Sequence, residues 1–182
     1  MSRLPPLDLT TLDAEQQRVA HAIASGPRGV VRGPFEVWLR SPGLADPAQR
    51  LGEFCRYHSA LSPEQSELAI IIVGKMWQSA YEFAAHARLA MAAGVPEEVV
   101  EAIRAGTPPP FTNEPSKAIY AVITEYFAGH KISDATYARA VEQFSERGVV
   151  DLVGIIGYYG LICATLNVFE VPLPEGAVAP VL

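Results

Sequence analysis

The stretch SAYEFAAH carries three side chains that can do chemistry: Ser79, Glu82 and His86. Their spacings of three and four residues bring them to one face of a helix. A carboxylate one turn before an imidazole can hold it in one tautomer and raise its pKa toward the working range, an acid–base arrangement. The plainer reading is a helix-surface pair, or a histidine satisfied by a backbone carbonyl, and spacing alone leaves both open. Glu67 is a second carboxylate. On one unbroken helix it would stand roughly 22 Å from Glu82. The two could then meet only if the chain bends, near Gly74 for instance, or if a neighbouring subunit supplies one. Otherwise Glu67 reads as a solvated first-turn residue favoured by the helix dipole.

Other chemistries fit these residues less well. Glu82 and His86, joined by His58 or His21, would make a metal site, but no ligand cluster of recognised spacing is present and no metal is expected. Ser79 as a nucleophile needs a base within reach and an oxyanion hole, and His86 lies two turns away. Arg32, flanked by Gly33-Pro34 in an apolar loop, is placed either to meet an anion or to close a salt bridge. Tyr81, Trp77 and Phe35 read as core or pocket wall.

The elements that must position these residues read as helices throughout, with no strand-like alternation, so the fold class is all-α. Asp13 caps AEQQRVAHAIAS, which Gly26-Pro27 stops. A loop over residues 28–44 encloses one short helix, and a helix over 47–60 opens with Pro47 in its first turn. Ser62, Pro63 and Gln65 form a start signal, and the apolar pattern runs on through SAYEFAAH to a stop at Gly94 and Pro96. Short helices follow at PEEVVEAIRAG and SKAIYAVITEYFAG. A helix capped by Ser133 and a strongly apolar one over 149–169 come next, then an irregular tail, VPLPEGAVAP. A faint echo between SELAIIIVGKMWQSAYEF and VDLVGIIGYYGLICATLNVF would suit a duplicated helical unit. The last helix is apolar nearly all round and needs burial on all sides. Contact between subunits supplies it, so a homo-oligomer is expected.

Composition narrows the class. The chain of 182 residues, 49% hydrophobic and 19% charged, reads as one domain over 1–182 with a sizeable core. A net charge of −6 with no basic stripe argues against nucleic acid. The two cysteines, Cys55 and Cys163, form no CxxC pair and read as buried reduced thiols of a cytoplasmic protein. The N-terminus lacks a signal-peptide apolar core. The longest uncharged run, Leu152 to Leu166, falls short of the roughly 20 apolar residues a membrane span needs.

Residues 30–106, from RGPFEVWLRSPGL through SAYEFAAH to EAIRAG, resemble the carboxymuconolactone decarboxylase family, which shares its fold with the alkyl hydroperoxidase D (AhpD) proteins. The ending IIGYYGLICATLNVFEVPLPEG is similar to longer members. The hydroperoxidase branch carries a Glu, then a Cys-x-x-Cys, then a His. Glu67, Ser79, Glu82 and His86 fall on those positions in turn, so both redox cysteines are replaced. The decarboxylase branch often reads YEW..H, similar to Tyr81-Glu82-Phe83 and His86. The resemblance thus implies a cofactor-free decarboxylase acting on a carboxylated unsaturated lactone or a related cyclic acid. His86 would be the proton donor, Glu82 its tuning partner, and Glu67 would orient the histidine from a neighbouring helix. Arg32 would anchor a small anionic substrate in a pocket walled by Trp77, Tyr81, Phe35 and Ser79 with apolar residues of the last helix. It also implies a trimer or hexamer. The alternatives are a peroxide-handling member of the same fold and a non-catalytic oligomer that binds a small ligand.

Overall fold

A computed structural model describes residues 2–173 and 180–182. Within the expected irregular tail, residues 174–179 lie outside the described residues. Among those described, all regular structure is helical.

Local signals set most helix starts. Asp13 and Gln16 form a reciprocal capping box at the head of α1 (Ala14–Ser25). Ser62 and Gln65 do the same for α4 (Pro63–Met76). Each box satisfies two backbone N–H groups that a helix start leaves free. Asn113 caps α7 (Glu114–Gly129), and Ser133 caps α8 (Asp134–Val168). The two helices expected at the C-terminal end both form within α8, separated by a non-helical Ser145 (φ 61°, ψ 170°). Between α1 and α4 lie α2 (Pro34–Trp38) and α3 (Pro42–Glu53), and α3 widens into a π-helical turn over Phe54–His58. Here the proline reading needs correcting. Pro42, not Pro47, takes the first helical turn. Pro47 is tolerated inside the helix because the carbonyl it leaves unbonded, on Gly43, is open to water.

α4 is the central element. Every residue from Ser66 to Gly74 is buried, enclosed by α5 (Ala80–Ala92), α7 and α8. The continuous helix expected from Ser62 toward Gly94 breaks after Met76. Gln78 adopts a left-handed conformation, φ 50°. Its N–H donates to Lys75 O and the next, of Ser79, donates to Gly74 O, each at 2.9 Å. This is a Schellman C-cap built on glutamine where glycine is usual. α5 (Ala80–Ala92) then folds back along α4, and Gly74 is the contact point: a Cβ there would lie 3.4 Å from the Phe83 backbone nitrogen. α6 (Glu97–Ala105) closes the N-terminal half with a left-handed Gly106.

Two hydrogen bonds tie the segment before α4 to α8. Trp38 Nε1 donates to Thr165 Oγ1 at 2.9 Å, and Asp151 Oδ2 accepts from the Ala60 N–H at 2.7 Å. By composition α8 is long and apolar enough to cross a bilayer, but 67% of that apolar window is buried inside the protein.

Candidate active site

The turn at Gln78 brings the two carboxylates to one histidine. His86 Nδ1 donates to Glu67 Oε2 at 2.6 Å, from α5 back to α4. On the other edge of the ring, Nε2 lies 3.0 Å from Glu82 Oε1. That is ion-pair range, yet the angle is poor and Glu82 Oε1 is left without a hydrogen bond among the described residues. Arg56, on the π-helical turn, donates through Nε to Glu67 Oε1 at 3.2 Å. All three members of the row Glu67–His86–Glu82 are buried. Two carboxylates face an imidazolium and a guanidinium, so the buried charges balance, as charge burial requires.

Burial by itself would drive the proton off His86. The Glu82 carboxylate and the Glu67 hydrogen bond outweigh it and hold the imidazole pKa up at about 9. Burial likewise opposes ionisation of Glu67, but His86 and then Arg56 hold its carboxyl below the usual range. At neutral pH the row stores a proton on the histidine.

The row opens on a cavity of about 360 Å³. Glu82 and His86 form part of its wall, with Phe35, Tyr81, Tyr158 and Tyr159 as flat faces. Arg28, Arg32, Arg56 and Arg88 surround them. Among the described residues, Arg28, Arg32 and Arg88 enter no ion pair. The loop carrying Arg28 and Arg32 is held by Gly33 (φ 60°), where a Cβ would stand only 2.6 Å from the Tyr81 hydroxyl. Only glycine lets loop and tyrosine approach so closely.

Arg32, Tyr81 and Phe35 therefore share the cavity with Glu82 and His86, and Glu67 stands one bond behind. Two expected wall residues do not. Trp77, at the C-cap of α4, turns outward, packs edge-on to Phe127 at 6.3 Å and rests against Gly160. Ser79 is the N-cap residue of α5; it is buried off the cavity wall, its hydroxyl beside the Cys163 thiol. Neither suggested third metal ligand approaches the pair: His58 faces Glu53 at 3.7 Å, and His21 lines a separate shallow groove. Sequence reasoning missed Arg28, Arg56, Arg88, Tyr158 and Tyr159. The Tyr158-Tyr159 pair in the last helix was the one available signal, two polar tips inside an apolar run.

Both thiols are free and buried. Burial pushes Cys55 up to about 11 and Cys163 further still.

Comparison with known proteins bears on the fold. Residues 42–123 match the model of the carboxymuconolactone decarboxylase family. No curated protein matches the chain. Two crystal structures of uncharacterized peroxidase-related proteins are similar in fold. One, from Ralstonia eutropha JMP134, described as an alkylhydroperoxidase AhpD core, has a TM-score of 0.78 at 15% identity, covering 96% of this chain and 93% of its own. The other, from Silicibacter sp. TM1040, has a TM-score of 0.77 at 13% identity over 96% and 92%. The debrominase Bmp8, as a cysteine-to-alanine variant in complex with 2,3,4-tribromopyrrole, has a TM-score of 0.73 at 15% identity over 96% and 95%. The chain is thus similar to the carboxymuconolactone decarboxylase family over residues 42–123 and shares an AhpD-like helical fold over nearly its whole length.

Proposed function

We propose that the protein is a cofactor-free lyase that decarboxylates a small, flat, anionic ring compound, of which a carboxylated unsaturated lactone is the model. The observation that carries this reading is the Glu67–His86–Glu82 row ending in an arginine-lined cavity. Decarboxylation of such a lactone needs three things from a protein. It must hold an anion, accept charge developing on the ring carbonyl, and return a proton to carbon. The three arginines without ion-pair partners supply the first. The protonated row supplies the last.

The direction of proton flow follows from the ring. Both His86 nitrogens face carboxylates, so the imidazole is not free to turn into the cavity. Its proton leaves through Nε2 to Glu82, and Glu82 is the group that meets the substrate. When the C–C bond to the carboxylate breaks, CO₂ departs and the electron pair moves through the alkene onto the carbonyl oxygen. Glu82 passes the proton it has taken from His86 to the ring carbon, which returns that pair, and a proton from solvent restores the row. Flat aromatic walls suit a planar ring, as does the tribromopyrrole bound by the debrominase neighbour.

The test is CO₂ release and ultraviolet loss over a panel of carboxylated unsaturated lactones, with wild type beside His86→Gln and Glu82→Gln. Release by wild type that drops at least about 100-fold in both variants supports the reading. Absence of release across the panel removes it and leaves ligand binding without catalysis.

A further inference from the structure

The row that delivers a proton is also built to take one. Glu82 is buried, and it is the one carboxylate of the row that stands in the cavity wall. Its Oε1 lies 3.0 Å from His86 Nε2 without forming a hydrogen bond. Oε2 also accepts no hydrogen bond among the described residues and is not closed off from solvent. Native structures seldom leave a buried carboxylate untied by donors unless it has a use. His86 cannot serve as the base in its place. Glu67 holds one ring nitrogen at 2.6 Å, and with a pKa of about 9 the imidazole already carries its proton at neutral pH. The resting site therefore presents to the cavity a carboxylate with both oxygens free of donors. Around it stand flat aromatic walls and the arginines Arg28, Arg32 and Arg88. A weakly solvated carboxylate with cations near it suits the removal of a proton from carbon beside a carbonyl, because the charge that forms there is met at once.

We infer that the cavity has a second activity: Glu82 acts as a base on an unsaturated lactone and moves its double bond, an allylic isomerisation that needs no cofactor. The inference uses the site of the proposed lyase but not its decarboxylation step. In a β,γ-unsaturated lactone, Glu82 takes a proton from the carbon between the carbonyl and the double bond. The C–H electron pair spreads through the ring onto the carbonyl oxygen and leaves a planar oxyfuran anion. Glu82 then gives the same proton to the γ carbon. The pair returns from oxygen, the carbonyl re-forms, and the double bond ends conjugated to it. One proton is taken and one is given, so the row finishes as it began, with His86 protonated throughout. Lyase and isomerase chemistry meet at one type of anion, reached in the first by loss of CO₂ and in the second by loss of a proton. A site shaped and charged for that anion accepts both routes to it.

The probe is α-angelica lactone, a β,γ-unsaturated lactone with no carboxylate to lose, and proton NMR follows its conversion to the conjugated β isomer. Wild type should convert it at least about 100-fold faster than buffer alone, and Glu82→Gln should fall close to the buffer rate. Glu82→Asp keeps a charge beside His86 but withdraws it by one methylene. It should fold as wild type does and convert at least about 10-fold more slowly. Conversion by wild type at the buffer rate overturns the assignment, as does the full wild-type rate in either variant. The two readings fail separately. If a carboxylated lactone releases CO₂ while α-angelica lactone is untouched, the isomerase falls and the lyase stands. If α-angelica lactone is converted while no lactone releases CO₂, the isomerase stands and the decarboxylase reading falls.

Discussion

His86 Nδ1 lies 2.6 Å from Glu67 Oε2 across a helical hairpin, and the same imidazole faces Glu82 one turn back along its own helix. A histidine held on both edges by carboxylates binds its proton more tightly in the folded chain than in the unfolded one.

The consequence for pH follows from the sign of that shift. The folded value of about 9 lies above the ordinary 6.5. The stabilisation is therefore complete below about pH 6.5 and is lost as pH climbs through 9. It amounts to about 3 kcal/mol. Thermal unfolding should show a falling Tm between pH 7 and pH 9.5 that is largely absent in His86→Gln. Turnover should fall over the same upper limb. A wild-type Tm that stays level across that interval would contradict the protonated row.

Glu67→Gln leaves Arg56 with no carboxylate partner on α4 and removes one of the two acids that hold the proton. Breaking a buried pair of this kind costs about 3 kcal/mol. The His86 pKa should move down from 9 in an NMR titration of the ring protons. An unchanged value would mean that Glu82 alone sets it.

Gly52→Ala adds a Cβ inside the space of the Tyr158 ring. Neither the ring, pinned by Trp38, nor the α3 backbone at the buried Gly52 can yield cheaply, so stability should fall by about 2 kcal/mol or more. Denaturant unfolding measures this. Gly43→Ala, at a position on the same helix with open space around it, should change stability little.

Thiol chemistry should be absent. A Cys55 pKa of about 11 leaves on the order of one part in ten thousand as thiolate at pH 7. Peroxide consumption with a dithiol reductant should equal the rate without protein. A rate that disappears in Cys55→Ser or Cys163→Ser would restore the peroxidase alternative.

Assembly is testable on α8. Val150 and Val153 are 68% and 60% exposed, and Gly157, Leu161 and Val168 continue the same face at helical spacing. A second copy crossing at Gly157 would bury this apolar stripe. Sedimentation should give an oligomer for wild type and a smaller species for Val153→Glu. A monomeric wild type would refute self-association.

What could be read from the sequence was what is decided locally. The caps at Asp13, Ser62 and Ser133 are side chains meeting backbone groups three residues away, so a short window contains the whole interaction. The hairpin between α4 and α5 was not readable. Gln78 carries no left-handed preference, and the packing of Phe83 on Gly74 decides its conformation. That one angle turned Trp77 outward, contrary to the pocket-wall expectation, and drew Glu67 to the histidine. Arg56 and Arg28 were invisible for a related reason: a π-helical turn and a loop carry no periodicity to say which way a guanidinium points. Tyr158 and Tyr159 sat in a run so apolar that burial was plain while the place of their rings at the cavity was not.

The hairpin at Gln78 makes the site a matter of rotational phase. Each residue added to or removed from the Trp77–Ser79 turn would rotate α5 by about 100°. Glu82 and His86 would leave the cavity together while the helices themselves remained intact. The chemistry at positions 79 and 82 is thus interchangeable in kind, because a side chain can be replaced without altering the turn. The length of that turn is not. A scaffold with this property can exchange one reaction for another by substitution alone, but one inserted residue would leave it with no reaction at all.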